Sequence, residues 1–326
     1  MSTGLKANND GSAAIQVGGS DFLTVTSGGN TTFTQAANLP NTFGFKNRII
    51  NGSMSIWQRA TSATITAGST IAAGYSTVDR FYVYCTGANV TAARVAGSGS
   101  TQYRMQITGA ASVTAIGIGQ RIEQANSYDM AGSTAMLSVD LANSVLTTVT
   151  WTAFYANTAD TFGTLASPTR TQIATGTFTV TSTVTNYSTS ISIPSAATTG
   201  IEIVFTVGAQ TSGTWTIGNV QLEKGSTATS FDYRNYSSEL IMCQRYYETG
   251  TYYFVAGQVS SSIVASVYSP TYFKVTKRAA PTITGTNAQG GTFDAQGIAV
   301  DMAGLGRSTT VADRGNTGTY TASSEL

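Results

Sequence analysis

The 326-residue chain contains no histidine. Because imidazole is the general base of Ser-His-Asp and Cys-His mechanisms, both of these catalytic classes are excluded. Two cysteines, Cys85 and Cys243, are present, and two cysteines without histidine cannot build the usual structural zinc sites. A compact Asp-x-Asp-x-Asp calcium loop is also missing from the sequence. We therefore predict no metal and no cofactor, and we expect both cysteines to be buried free thiols in strands.

Charged residues are scarce, at 10% of the chain against about 25% in an average soluble domain. The net charge is +1, and the scattered Lys and Arg residues form no stripe that could neutralise a run of phosphates. We therefore predict no nucleic-acid binding. No apolar run approaches the roughly 20 residues needed to cross a bilayer, which predicts no membrane insertion. Residues 1–10 lack the apolar core of a secretion signal, which predicts synthesis and folding in a cytoplasm.

Apolar residues make up 41% of the chain, which is enough to bury a core. Short runs rich in β-branched and aromatic residues recur between turn residues, as expected for an all-β sandwich. The clearest central strands are predicted at 81–84, 136–141, 149–155, 178–180 and 201–205. One helical pattern stands out, at residues 237–247, with Ser237 or Ser238 as its cap.

Three regions follow along the chain. Residues 1–42 form a β-rich arm with strands predicted at 14–17 and 22–26, and this arm has too few apolar residues to close its own core. It should therefore depend on neighbouring chains or on a docking partner. Residues 43–248 form the main sandwich. Residues 249–326 form a small C-terminal β domain, with strands predicted at 252–255, 263–268 and 272–275.

Several phrases of the sequence carry a family resemblance. They are Asn47-Arg48-Ile49-Ile50-Asn51-Gly52-Ser53-Met54-Ser55-Ile56-Trp57-Gln58-Arg59, Val78-Asp79-Arg80-Phe81, the stretches 220–225 and 240–248, the stretch 273–282, and the final residues 320–326. Together they resemble the jelly-roll domain and flanking segments of bacteriophage tail fibres and related virion adhesion proteins. One departure is Lys277, which stands where that family usually has methionine.

The resemblance implies an antiparallel jelly-roll sandwich, similar to carbohydrate-binding modules, that assembles as a homotrimer. It implies a virion tail location, attachment to other virion tail proteins through the N-terminal arm, synthesis in the host cytoplasm, and adhesion to a host surface glycan without catalysis. The C-terminal β domain would be a receptor-binding tip. It also implies a structural role for the family motif, which here comprises Asn51, Gly52, Gln58, Arg59, Asp79 and Arg80.

Aromatic rings are natural sugar platforms because a ring face stacks on the apolar face of a pyranose. We predict Trp57, Tyr252, Tyr268 and Tyr272 as candidate receptor or glycan contacts. Strand alternation would turn Trp57 away from Met54 and Ile56, towards the surface or a neighbouring chain. A packing role for Trp57, and a core or trimer-seam role for the tyrosines, are the alternatives. Trp151 and Trp215 lie inside strong strand patterns and are predicted core residues.

Other chemical signals are weak. Gly97-Ser98-Gly99 and Gly117-Ile118-Gly119 lack the third glycine of a dinucleotide site, and we interpret both as turns or bulges. The acidic residues that could pair for glycoside hydrolysis are Asp79, Glu123, Asp129, Asp140, Glu202, Glu223 and Asp232. Asp79 and Glu123 lie close to arginines in sequence, which favours structural salt bridges.

Two rival functions stay open from the sequence. One is a capsid decoration or cement protein, or another structural virion protein without a receptor. The other is a short polysaccharide depolymerase, which the missing histidine and the missing β-helix repeat disfavour.

Overall fold

The computed structural model describes residues 3–17, 20–29, 31–33, 45–68, 74–254, 265–288, 292–309 and 316–326. These ranges contain 21 strands, two short helices and one 3₁₀ turn, so the all-β prediction is confirmed. By contacts the chain divides into two compact units, Met1–Phe43 and Gly44–Leu326.

The N-terminal unit is a four-stranded antiparallel sheet of β1 (Thr3–Ala7), β2 (Ala13–Val17), β3 (Ser20–Val25) and β4 (Thr31–Phe33), in that order. Strands β2 and β3 match the two strands predicted in the arm. Leu5 lies opposite Ile15, and Ile15 lies opposite Leu23, so all three side chains share one face. Leu5 is 87% exposed and Ile15 is 41% exposed, so this face is open within the unit.

The second unit contains a sandwich of two antiparallel sheets. Sheet I is built from β5 (Ser62–Ile65), β7 (Val90–Ala96), β8 (Tyr103–Thr108), β10 (Thr134–Asn143), β13 (Thr185–Ser192) and β15 (Thr214–Lys224). Its strand order is β13-β10-β15-β8-β7-β5. Sheet II is built from β6 (Tyr82–Thr86), β9 (Ala115–Ile122), β11 (Thr148–Ala156), β12 (Arg170–Thr179) and β14 (Ile201–Val207), in the order β12-β11-β14-β9-β6. The predicted antiparallel jelly-roll sandwich is confirmed.

One large apolar core lies between the two sheets. Strand alternation supplies it, because every second side chain of a strand points to the same face. Trp215 of β15 and Trp151 of β11 are both buried there, as predicted. Burial of side chains of this size stabilises the sandwich by about 25 cal/mol for each Å² of apolar surface removed from water.

The C-terminal region forms two three-stranded sheets. One contains β16 (Tyr247–Phe254), β18 (Thr282–Asn287) and β21 (Asn316–Ser323), and the other contains β17 (Ala265–Tyr272), β19 (Thr292–Gln296) and β20 (Met302–Thr309). A small separate core joins them. The boundary that we placed between residues 248 and 249 falls inside β16. The separate strand predicted at 272–275 does not form: Tyr272 is the last residue of β17, and Phe273 is buried in the small core. Residues 255, 263 and 264 of the other predicted strands lie outside the described residues.

The helices are α1 (Gln124–Ser127) and α2 (Tyr236–Gln244). Helix α2 confirms the predicted helix, but its cap is Asn235 and not Ser237 or Ser238. The Asn235 side chain accepts a hydrogen bond of 2.8 Å from the Ser238 amide. In the described part of the chain, no helix combines the length and apolar character that a bilayer span requires.

Both cysteines are buried and free, as expected. Cys85 lies in strand β6, whereas Cys243 lies in helix α2 and not in a strand.

The segment around Trp57 differs from the strand that we predicted. Asn51 and Met54 adopt left-handed backbone conformations, with φ of 59° and 54°, and these bend the chain out of an extended path. The indole of Trp57 donates a hydrogen bond of 2.6 Å to the Met54 carbonyl oxygen, and its ring packs against the main core. No strand forms here, so the outward orientation predicted from alternation was wrong, and the packing alternative for Trp57 is the one observed.

Candidate functional site

The first two residues of the family motif, Asn51 and Gly52, fix the local bend of the chain and its close approach to strand β15. The Asn51 side-chain amide donates to the Ile56 and Asp79 carbonyl oxygens, while its side-chain oxygen accepts from the Ile56 amide. Gly52 lies so close to β15 that a Cβ atom there would fall 2.1 Å from the Val220 carbonyl oxygen. A side chain at position 52 is therefore excluded on steric grounds.

The next motif residues surround the Asp79 carboxylate. Gln58 donates to it through its backbone amide at 3.2 Å and through its side-chain amide at 2.5 Å. Arg59 lies 3.4 Å away and stacks on the Tyr247 ring, 3.7 Å from the ring centroid. Burial raises the pKa of Asp79 to about 6, although Arg59 and the Gln58 hydrogen bonds oppose this rise.

The last motif residue, Arg80, joins the sandwich to the end of the chain. It pairs with Glu325, donates a hydrogen bond of 2.6 Å to the Arg121 carbonyl oxygen, and stacks 3.4 Å from the centre of the Tyr246 ring. Glu325 also accepts from Arg59 at 2.9 Å. The motif therefore forms a buried joint between the sandwich and the C-terminal sheets, which is a structural role.

Every buried carboxylate in the described chain accepts at least one hydrogen bond from a neighbouring group. These carboxylates are Asp79, Glu123, Glu202, Glu223, Asp232, Glu239 and Glu248. Glu123 pairs with Arg245 at 3.0 Å, so the expected salt bridge forms, but with an arginine distant in sequence and not with Arg121.

The four aromatic residues predicted as receptor contacts do not come together. Trp57 packs against the main core, as described above. Tyr252 is 4% exposed and belongs to the small C-terminal core, so its ring offers almost no surface to a ligand. Tyr268 is partly buried and donates to Asp294. Tyr272 is 71% exposed and lies at the end of β17.

Sheet II carries a different aromatic surface on its outer face, away from the core. Tyr82 and Tyr84 of β6 lie opposite Gly119 and Gly117 of β9. A Cβ atom at Gly117 would fall 2.2 Å from the Tyr84 ring, and one at Gly119 would fall 2.3 Å from the Tyr82 hydroxyl. Both tyrosine rings therefore lie across β9, with 6.4 Å between centroids and 24° between planes. The glycines are needed because they let these rings lie against the sheet.

One end of this outer face is closed by a charged cluster centred on Glu202. The Glu202 carboxylate accepts hydrogen bonds of 2.8 Å from both the Tyr82 hydroxyl and Arg121, and it also pairs with Arg170. Burial, followed by the neighbouring Glu202, raises the pKa of Tyr82 well above its usual value. Tyr82 is fully buried beneath this cluster and the edge of Tyr75, so it supports the surface without contacting solvent.

The other end of the face is open. Across the sheet, Tyr84 is followed by Gly117, Thr206 and Thr150, and Thr152 lies on the same face of β11. Phe154 also lies on this face, but it is opposite Glu202, at the closed end. Arg170 lies over the Phe154 ring, 3.9 Å from its centroid. We call the partly exposed side chains of Tyr84, Thr150, Thr152, Phe154 and Thr206 the Tyr84 face. It combines aromatic rings with hydroxyl groups, which suits a ligand with apolar faces and hydroxyl edges.

Sequence reasoning missed the Tyr84 face, although a signal for it exists. Tyr82-Val83-Tyr84 and Gly117-Ile118-Gly119 have the same two-residue period, and paired strands place the glycines beneath the rings. We interpreted the glycines at 117 and 119 as a turn or bulge, which was wrong because both lie inside β9. Gly97-Ser98-Gly99 does form the predicted turn, with the Thr101 amide donating to the Ser98 carbonyl oxygen at 3.1 Å.

The chain matches no protein-family model and no curated protein. Its structural neighbours are carbohydrate-binding jelly-roll modules at low identity. A structure described as "CBM4 structure and function" is 16% identical over 54% of this chain and 98% of that chain, with a TM-score of 0.35. TmCBM61 in complex with beta-1,4-galactotriose is 10% identical over 56% of this chain and 100% of that chain, with a TM-score of 0.34.

A bacteriophage protein is also among the similar structures. The enzymatically active domain of tailspike protein 4 of bacteriophage CBA120 is 17% identical over 55% of this chain and 22% of that chain, with a TM-score of 0.32. Identities and TM-scores this low leave the function to be argued from the site itself.

Proposed function

We propose that this chain is a non-catalytic, glycan-binding adhesion protein of a bacteriophage tail, and that the Tyr84 face contacts the glycan. The carrying observation is the Tyr84 ring, which lies across Gly117 beside a row of threonine hydroxyls on an open sheet face. A pyranose can stack on that ring while its hydroxyls bond to the threonines.

The non-catalytic part of the proposal rests on the carboxylates. Glycoside hydrolysis needs two carboxyl groups that flank the scissile bond. Glu202 lies at the closed end of the Tyr84 face, but it is fully buried and held by Arg121, Arg170 and Tyr82. A carboxylate in this environment fixes the neighbouring side chains and has no access to a bound sugar.

The tail location and the homotrimer are supported by the resemblance of the motif phrases and by the N-terminal sheet. Leu5, Ile15 and Val25 are exposed apolar residues in a unit with few charges. A sheet face of this kind gains stability when it packs against other chains. Three copies would also raise the avidity of weak glycan contacts, because linked sites share an effective concentration.

The test is glycan-array binding of the purified full chain, compared with Tyr84→Ala and with Tyr128→Ala as the matched control. Tyr128 is exposed on the 3₁₀ turn, outside the Tyr84 face. We expect Tyr84→Ala to lose at least tenfold in affinity for the selected glycans and Tyr128→Ala to match the wild type. Equal binding by all three proteins would contradict the proposed site.

Two further measurements separate the rival functions. Sedimentation should give three times the 33.9 kDa chain mass, and a monomer would contradict the homotrimer. A chain that binds no glycan and labels the capsid in particle images would be a cement protein. New reducing ends after incubation with host polysaccharide would identify a depolymerase.

A further inference from the structure

A second groove lies on the outer face of sheet I, on the opposite side of the sandwich from the Tyr84 face. Its volume is about 310 Å³. Two rows of side chains, each running across neighbouring strands, contribute to its floor. In one row Ala142 of β10 lies opposite Thr216 of β15, which lies opposite Gln106 of β8. In the neighbouring row Arg104 lies opposite Val95. Ser144, Ser182 and Thr214 contribute hydroxyl groups to its walls.

Arg104 is built into this groove. It is 5% exposed, and its stem crosses Gly218 so closely that a Cβ atom there would fall 2.8 Å from the Arg104 Cγ. Its guanidinium group donates to Asp140 at 3.3 Å and to the Ser98 hydroxyl at 3.2 Å. The Arg104 Nε remains buried without a hydrogen-bond partner. The two terminal nitrogens already have partners, so Arg104 is a fixed part of the groove wall.

Other polar groups in the groove have unused bonding capacity. Gln106 donates to the Thr216 hydroxyl at 3.2 Å, which leaves the Thr216 hydroxyl hydrogen free to donate. The Ser144 hydroxyl accepts from the Thr214 amide at 2.8 Å and can also donate. Hydroxyl and amide groups that converge on one groove match the alternating donors and acceptors of a sugar.

We propose that this groove is a second saccharide site that binds a neutral pyranose. The ligand is neutral because Asp140 balances the charge of Arg104, and the remaining polar lining groups are uncharged. No aromatic ring lines the groove, so binding depends on hydrogen bonds rather than on stacking. The inference rests on the proposed function for its class of ligand, but the site is separate from the Tyr84 face.

The experiment measures binding of methyl glycosides of glucose, galactose and mannose to the full chain by saturation-transfer NMR and calorimetry, with glucuronate as the acidic comparison. Tyr84→Ala serves as the background because it removes the first site. In the Tyr84→Ala background, Gln106→Leu removes the side-chain amide from the groove. Ser182→Tyr fills the groove with a larger side chain, and Ser182 is an exposed residue of the loop between β12 and β13, so no strand is altered. Gln102→Leu is the matched control, since Gln102 is exposed on the turn before β8.

We expect Tyr84→Ala to retain binding of at least one methyl hexoside, within about twofold of the wild-type affinity. Gln106→Leu and Ser182→Tyr in that background should each weaken it at least tenfold, whereas Gln102→Leu should not. Glucuronate should bind at least tenfold more weakly than the neutral sugar. Loss of all hexoside binding in Tyr84→Ala would overturn the second site while supporting the Tyr84 face. Unchanged binding in both groove variants would also overturn it.

Discussion

Glu325 accepts from two buried arginines, so its removal should weaken the joint between the sandwich and the C-terminal sheets. Its side chain is 8% exposed, and it pairs with Arg59 and Arg80, whose side chains are 9% and 1% exposed. Breaking a buried pair from one side typically costs about 3–5 kcal/mol because a buried charge loses its partner. Asp79 still faces Arg59 in the Glu325→Gln variant, so we expect the lower end, about 3 kcal/mol.

The assay is thermal unfolding of the full chain followed by calorimetry. The unit that contains Glu325 has about 280 residues, and its entropy of unfolding is about 2.1 cal/mol/K per residue. With that entropy, a loss of about 3 kcal/mol in unfolding free energy lowers the Tm by about 5 °C. Asp129→Asn is the control, because Asp129 is half-exposed and its pair with Arg48 should contribute less than about 1 kcal/mol. A Glu325→Gln variant that unfolds within 1 °C of Asp129→Asn would refute the reasoning.

Three further predictions concern Asp79, Gly117 and Lys277. The folded pKa of Asp79 is raised to about 6 from an ordinary value of 3.8, so the folded state holds the extra proton between pH 4 and 6. Relative to Asp79→Asn, the wild type should therefore lose about 2–3 kcal/mol of unfolding free energy as pH rises from 4 to 7. If calorimetry shows that the wild type instead becomes more stable relative to Asp79→Asn, the folded state favours the ionised Asp79 carboxylate. Gly117→Ala should displace the Tyr84 ring, because the added Cβ atom would collide with it. We expect glycan binding to weaken about tenfold and the Tm to fall only slightly. Unchanged binding on the glycan array would argue against a contact between the glycan and the Tyr84 ring. Lys277→Met should lower the free energy of unfolding by about 3–5 kcal/mol, because Glu248 loses its buried partner at 2.6 Å. Adding Glu248→Gln should restore most of this loss, as measured by urea unfolding. If the double variant does not recover, packing and not charge dominates.

The strands and the one longer helix could be predicted because their signals are local. Alternation in 136–141 and 149–155 corresponds to β10 and β11, and the helical spacing near Cys243 corresponds to α2. The motif residues, for which we predicted a structural role, make hydrogen bonds and ion pairs within the chain. Their partners could not be predicted, because Glu325 lies more than 240 residues along the chain from Arg80.

The candidate site was harder to predict because it depends on strand pairing. Tyr84 becomes a surface ring only because β6 pairs with β9 in a register that places Gly117 beneath it. The orientation of Trp57 was also hard to predict, since a left-handed Met54 replaces the strand that alternation assumed. The packing role that we considered for Trp57 is the one observed. Tyr252 and Tyr272 belong to the same tyrosine-rich stretch, yet one is buried and the other exposed.

The most direct test of the central claim is an experimental structure of the full chain bound to an oligosaccharide selected from the glycan array. We predict a pyranose ring stacked on Tyr84, with its hydroxyls bonded to Thr206 or Thr150. Well-defined sugar density elsewhere, with the Tyr84 face unoccupied, would contradict the claim.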